Sequence, residues 1–102
     1  MAWPESLVAL PNSNVSFRCN ATGIPDPVIK WTKEGGDLSK RHSVEDGVLN
    51  LSQLVNLDGG RYICTATNAA GASRASVKLT VEGLLLLFLQ LIGHFIFSIL
   101  KR

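Results

Sequence analysis

The sequence has little of what catalysis or metal binding requires. Its two histidines, His42 and His94, stand in unlike segments, and its two cysteines, Cys19 and Cys64, lie too far apart for a CxxC metal or redox motif. It also lacks a Gly-rich phosphate loop, a Ser/His/Asp set and any paired-carboxylate motif. These gaps argue against an enzyme, and they predict neither a metal site nor a cofactor.

The chain has no charge excess of the kind that attracts nucleic acid. Its ten Lys and Arg residues exceed its eight Asp and Glu residues by two, and Lys101-Arg102 at the C-terminus account for that difference. Residues 1–82 are therefore neutral overall, so the basic pI does not indicate nucleic-acid binding. No secretory signal is evident either, because no short apolar run follows Met1.

What the chain does contain is a series of short runs in which apolar and polar residues alternate. The runs are Val15–Cys19, Val28–Lys33, Val48–Leu51, Arg61–Asn68 and Ala75–Val81, with a first strand at Ser6–Leu10 and a weak edge strand around Arg41–Val44. In the first strand, Val8 and Leu10 are expected to share a face. About seven short strands without a convincing helix predict an all-β sandwich of two sheets.

Several short motifs stand in the order and spacing of the immunoglobulin superfamily. They are Gly23-x-Pro25-x-Pro27, Trp31-x-Lys33-x-Gly35, Gly47-x-Leu49-x-Leu51, Asp58-x-Gly60-x-Tyr62-x-Cys64 and Ala66-x-Asn68-x-x-Gly71. Residues 5–82 therefore resemble an intermediate-type (I-set) immunoglobulin domain, which implies a two-sheet Greek-key sandwich. Such domains occur in cell-adhesion molecules, in receptor kinases and phosphatases, and in matrix proteins. Residues 1–4 would then be an N-terminal remnant.

The resemblance assigns structural roles to the residues that carry it. Cys19 and Cys64 are expected to form a disulfide between the sheets, with Trp31 and Leu49 packed in the core around it. The Tyr62 hydroxyl should bond to the backbone near Asp58. Arg41 should pair with the Asp58 carboxylate, and His42 is the alternative in a shifted register. Two reduced thiols, as in intracellular muscle domains of this type, are the alternative to the disulfide.

Three N-x-S/T sequons, at Asn14, Asn20 and Asn50, are candidate glycosylation sites. Strand alternation points all three asparagines outward, and the resemblance places their strands side by side in one sheet. Glycans there would leave the opposite sheet and the end loops for protein contacts. Unmodified surface asparagines are the alternative. A basic cluster at Lys40, Arg41 and His42 is a weaker candidate for binding a heparin-like polyanion.

The segment 83–100 is almost wholly apolar, and it is predicted to form a single membrane-spanning helix. A helix over residues 84–100 would be about 25 Å long, slightly less than a hydrocarbon core of about 30 Å. The basic end at 101–102 would then be cytosolic. Gln90 and His94 would share a helix face and either bond a partner helix or merely mark a marginal span. A GPI signal, a non-domain read-through and a cytosolic tail anchor are the alternatives.

These observations favour a cell-surface recognition domain that is held in the membrane by residues 84–100. Its partners would be a protein ligand or neighbouring domains, and no nucleic acid. A secreted or matrix location is the alternative to the membrane. A structural spacer within a larger matrix or receptor protein, without a ligand of its own, and an intracellular sarcomere-type domain with free thiols are the alternative functions.

Overall fold

A computed structural model describes residues 1–83, which form eight strands and one 3-10 turn. The strands are β1 (Ala2–Trp3), β2 (Ser6–Ala9), β3 (Val15–Cys19), β4 (Val28–Lys33), β5 (His42–Glu45), β6 (Val48–Leu51), β7 (Gly60–Asn68) and β8 (Gly71–Val81). The 3-10 turn covers Asn56–Asp58, and residues 1–83 contain no α-helix. No helix in this part of the chain is long and apolar enough to cross a bilayer.

The strands form two four-stranded sheets. The first sheet has the order β1-β3-β6-β5 and is antiparallel throughout. The second sheet has the order β2-β8-β7-β4, in which β2 runs parallel to β8 and the other pairs are antiparallel. The chain crosses between the sheets after β1, β2, β3, β4 and β6. The predicted two-sheet, immunoglobulin-like sandwich is therefore confirmed.

The core lies between the sheets and is built from the alternate residues of each central strand. Its most completely buried side chains are Phe17, Leu49, Leu51, Leu54, Tyr62, Cys64, Val77 and Leu79. Burial of each large apolar side chain contributes roughly 1.5–3 kcal/mol. Leu54 lies outside the strands and closes one end of the core, with its backbone N–H donating to the Ser13 carbonyl at 3.0 Å.

The N-terminal residues form two short strands, one in each sheet. Residues 1–4, expected to be a remnant, include β1, which pairs Ala2 with Cys19 and buries the Ala2 side chain. In and just after β2, Leu7 and Ala9 pack against the core, whereas Val8 and Leu10, which were expected to share a face, are 64% and 39% exposed. Parallel pairing with β8 sets this orientation, since it places Leu7 opposite the buried Leu79.

The predicted membrane-spanning helix lies outside the described residues. The same holds for Gln90, His94 and the basic end at 101–102. The edge strand predicted around Arg41–Val44 is observed as β5, one residue further along at its start and its end.

Candidate recognition surfaces

The interior of the sandwich holds a disulfide between Cys19 on β3 and Cys64 on β7, and it joins the two sheets. Trp31 on β4 lies opposite Cys64 in the strand register, and its indole Nε1 donates to the Gly47 carbonyl at 3.0 Å. The Phe17 ring lies 6.5 Å from the Trp31 ring, centroid to centroid. These groups are packed and bonded within the core, so they hold the sheets together and offer no open site.

Tyr62 on β7 is fully buried, and its hydroxyl donates to the backbone carbonyl of Asp58. The Lys33 ammonium lies 5.8 Å from the centroid of the Tyr62 ring. Burial of the phenol, assisted by the Asp58 carboxylate, raises the pKa of Tyr62 to about 12. The tyrosine therefore stays protonated at neutral pH and fixes the turn before β7.

The carboxylate of Asp58 is buried and has two partners, a backbone N–H and a guanidinium. Its Oδ2 accepts a hydrogen bond from the Val55 backbone at 2.8 Å and lies 3.6 Å from the Arg41 guanidinium. Arg41 Nε also donates to the Ser52 carbonyl at 3.3 Å. The ring of His42 lies instead against the Ser39 carbonyl, so Arg41 makes the ion pair. Within the predicted basic cluster, Arg41 is thus ion-paired with Asp58, and Lys40 is exposed.

The three sequon asparagines all belong to the first sheet or its immediate flanks. Asn14 and Asn20 are exposed at the two ends of β3, and Asn50 is half-buried in β6. Asn14 Oδ1 accepts from the Gln53 backbone at 3.0 Å, and the Asn50 amide bonds to hydroxyls on both neighbouring strands, at Ser16 and Ser43. The Asn20 side chain makes no hydrogen bond to other residues of the described region.

The second sheet turns four cations outward, and we call this surface the basic face: Lys30 on β4, Arg61 on β7, and Arg74 and Lys78 on β8. Lys30 and Arg74 flank Thr65 in one row of the sheet, and Arg61 lies opposite Lys78 in another. One carboxylate, that of Glu34, lies 3.6 Å from Arg61 Nε. Sequence reasoning missed this surface, because the alternation within each strand shows which side chains share a face of that strand but not which strands are neighbours.

The loops at one end of the sandwich are joined by Asn68, the last residue of β7. Its Nδ2 donates to the Pro25 carbonyl at 3.0 Å, and its Oδ1 accepts from the Ala70 backbone at 2.9 Å. The β3–β4 loop and the β7–β8 turn therefore form one unit. Next to it, the side chains of Ile24 and Val28 are 95% and 72% exposed.

No group of three potential metal ligands occurs within residues 1–83. The structure instead presents three surfaces: the first sheet with its sequons, the basic face of the second sheet, and the loops joined by Asn68. All three are suited to noncovalent contact.

Comparison with known proteins decides the family. The family model for the immunoglobulin I-set domain matches residues 2–81. The chain belongs to the immunoglobulin I-set domain family. Domains of this family are typically non-enzymatic.

Hemicentin-1 of Homo sapiens is 42% identical to this I-set domain over 83 residues, which is 78% of the chain. The basement membrane-specific heparan sulfate proteoglycan core protein of Mus musculus is 42% identical over 67 residues, which is 66% of the chain. The chain spans only 2% of the length of each of these relatives. Among solved structures, the full ectodomain of mouse nectin-like molecule 4 has a TM-score of 0.72 at 30% identity, over 82% of this chain and 29% of that one.

Proposed function

We propose that this I-set domain is an extracellular recognition module that binds another protein noncovalently. The observation that carries the proposal is the separation of its two outer faces. All three sequons lie on or beside the first sheet, whereas the outer face of the second sheet carries none. Glycans on the first sheet would leave the second sheet and the loops joined by Asn68 for contact with a partner.

The Cys19–Cys64 disulfide supports an extracellular location, since disulfides persist in oxidising compartments. Relatives named for a basement membrane and an ectodomain support it as well. Titration of thiols in the denatured, unreduced chain tests this part of the proposal. We expect no reactive thiol before reduction and two afterwards. Two reactive thiols before reduction would favour the intracellular alternative.

Attachment to a membrane through residues 84–100 is the second part of the proposal, and it rests on the sequence alone. This segment has no formal charge and precedes Lys101-Arg102, as expected for a span with a cytosolic C-terminus. Extraction of expressing cells with alkaline carbonate tests it. The chain should remain with the membrane pellet, and release into the supernatant would contradict a membrane span.

Recognition itself is tested by displaying the full chain on cells and probing it with a panel of purified, multimerised extracellular proteins. We expect at least one panel member to bind, and we expect binding to survive enzymatic removal of N-glycans. A chain that binds none of them would favour the spacer alternative. Ile24 and Leu57 would then be the points of contact with neighbouring domains, because they are 95% and 86% exposed at opposite ends of the sandwich.

A further inference from the structure

The charges of this neutral domain are unevenly distributed over its surface. Lys30, Arg61, Arg74 and Lys78 are all exposed on the outer side of the second sheet. Two acids border them: Glu34, which pairs with Arg61, and Glu5, which lines one hollow with Arg61 and Lys78. The other acids are spread over the rest of the surface: Asp26 and Asp37 lie in loops, Glu45 and Asp46 lie at the β5–β6 turn, and Glu82 follows β8. Residues 1–83 therefore have one concentrated cationic face and no equally concentrated anionic one.

The centre of the basic face is neither charged nor flat. Ile63 on β7 lies opposite Thr32 on one side and Ser76 on the other, so an apolar side chain is flanked by two hydroxyls. A shallow hollow opens there and is lined by Glu34, Arg61, Ile63, Arg74, Ala75 and Ser76. An apolar centre with arginines at its rim is the arrangement that protein interfaces favour.

We propose that the basic face binds an acidic protein surface that places an apolar side chain in the hollow over Ile63. This inference rests on the proposed recognition function and adds the chemistry of the partner. Acidic groups of the partner would pair with Arg61, Arg74, Lys30 and Lys78, and complementary charge of this kind speeds association and selects partners.

The apolar centre of the basic face favours a protein over a sulfated polysaccharide. A polysaccharide gains little from Ile63, because it has no apolar side chain to bury there. A second copy of the chain fits less well, because the described residues offer no concentrated acidic face to meet the basic one.

The test uses the full chain in nonionic-detergent micelles, with empty micelles as the reference. The probes are an immobilised peptide of alternating Glu and Leu, an all-Glu peptide with the same number of carboxylates, and a heparin oligosaccharide. We expect the Glu/Leu peptide to bind more tightly than the all-Glu peptide. The double substitution Arg61→Gln/Arg74→Gln should weaken its binding on the order of tenfold.

The matched control, Arg18→Gln/Lys40→Gln, removes the same charge from exposed positions outside the basic face and should weaken binding far less. Ile63→Thr keeps a β-branched residue in β7. It should weaken binding of the Glu/Leu peptide and leave binding of the all-Glu peptide unchanged. Because the Arg61–Glu34 pair is exposed, the Gln variant should fold. Lys30→Gln/Lys78→Gln gives a second, independent loss of charge from the same face.

Four results would overturn the inference. They are no binding of the Glu/Leu peptide, an equal loss in the control pair, tighter heparin binding that needs Arg61 and Arg74 but not Ile63, and self-association that the Arg61→Gln/Arg74→Gln substitution abolishes. If a panel protein binds the Arg61→Gln/Arg74→Gln variant as tightly as it binds the parent chain, the proposed recognition function is supported, but the basic face is excluded as its binding site.

Discussion

A β-carbon at position 23 would lie 2.8 Å from Nδ2 of Asn68, so any larger residue at Gly23 would have to displace the Asn68 amide. The same Nδ2 donates to the Pro25 carbonyl at 3.0 Å. The motifs Gly23-x-Pro25 and Asn68-x-x-Gly71 are separate in the sequence. In the structure they form one contact, which joins the β3–β4 loop to the β7–β8 turn.

Gly23→Ala should therefore destabilise the domain by about 0.5–1.5 kcal/mol, because the added methyl displaces the Asn68 amide and breaks its solvent-exposed bond to Pro25. Asn68→Ala should have an effect of similar size. Urea unfolding followed by tryptophan fluorescence measures both. Gly36→Ala is the control, since a β-carbon at Gly36 meets no atom within 4 Å. Equal effects at positions 23 and 36 would contradict the role given to Asn68.

The second prediction concerns alkaline pH and Tyr62, the one tyrosine of the chain. Its pKa is about 12 when folded, against about 10 in an unfolded chain. The raised value means that the folded state holds the proton more tightly. This stabilisation is complete below pH 10, and it is lost as pH rises through about 12, by about 2–3 kcal/mol in all.

Near-ultraviolet absorbance of the phenolate should accordingly show a midpoint well above that of free tyrosine. Tyr62→Phe should remove this part of the pH dependence of the unfolding free energy. A phenolate midpoint near pH 10 in the folded chain would contradict burial of the hydroxyl against Asp58.

The third prediction separates the two contacts of the Asp58 carboxylate. Asp58→Ala should cost about 2–3 kcal/mol, because it removes both the acceptor for the Val55 N–H and the partner of Arg41. Asp58→Asn keeps an acceptor oxygen and should cost less. A double-mutant cycle with Arg41→Ala gives the coupling energy of the pair. A coupling energy of zero would show that Arg41 acts only through its bond to the Ser52 carbonyl.

The fourth prediction concerns the disulfide. Cys19→Ala/Cys64→Ala should lower the unfolding free energy by about 4 kcal/mol, the value expected from loop entropy for cysteines 45 positions apart. Reduction of the parent chain should have a comparable effect. Thermal or urea unfolding with and without reductant measures it, and a variant as stable as the parent would contradict a structural role for the bridge.

Much of the interior was predictable because the central strands alternate strictly. Phe17, Trp31, Leu49, Tyr62 and the two cysteines each stand at an inward position of a run with a period of two. Which face of β2 is buried was not predictable, since Leu7, Val8, Ala9 and Leu10 are all apolar. Only the pairing with β8 decides which alternate residues face the core. A two-residue strand such as β1 is too short to show any period.

The recognition surfaces were harder to foresee than the core. The basic face depends on sheet order, because β4, β7 and β8 must be neighbours before Lys30, Arg61 and Arg74 form one surface. The link from Asn68 to Pro25 joins positions 43 residues apart and leaves no local pattern. The outward orientation of Asn14 and Asn20 followed directly from alternation, because both flank the well-patterned β3.

The most direct test of the central claim, an extracellular recognition domain with one sheet covered by glycans, is site-resolved mass spectrometry of the full chain expressed in mammalian cells. The account predicts N-glycans on the first sheet, with Asn20 the most fully occupied of the three sequons because its amide is exposed and unbonded in the described region. It also predicts no glycan on the second sheet. A chain with Asn14, Asn20 and Asn50 all unmodified would contradict it.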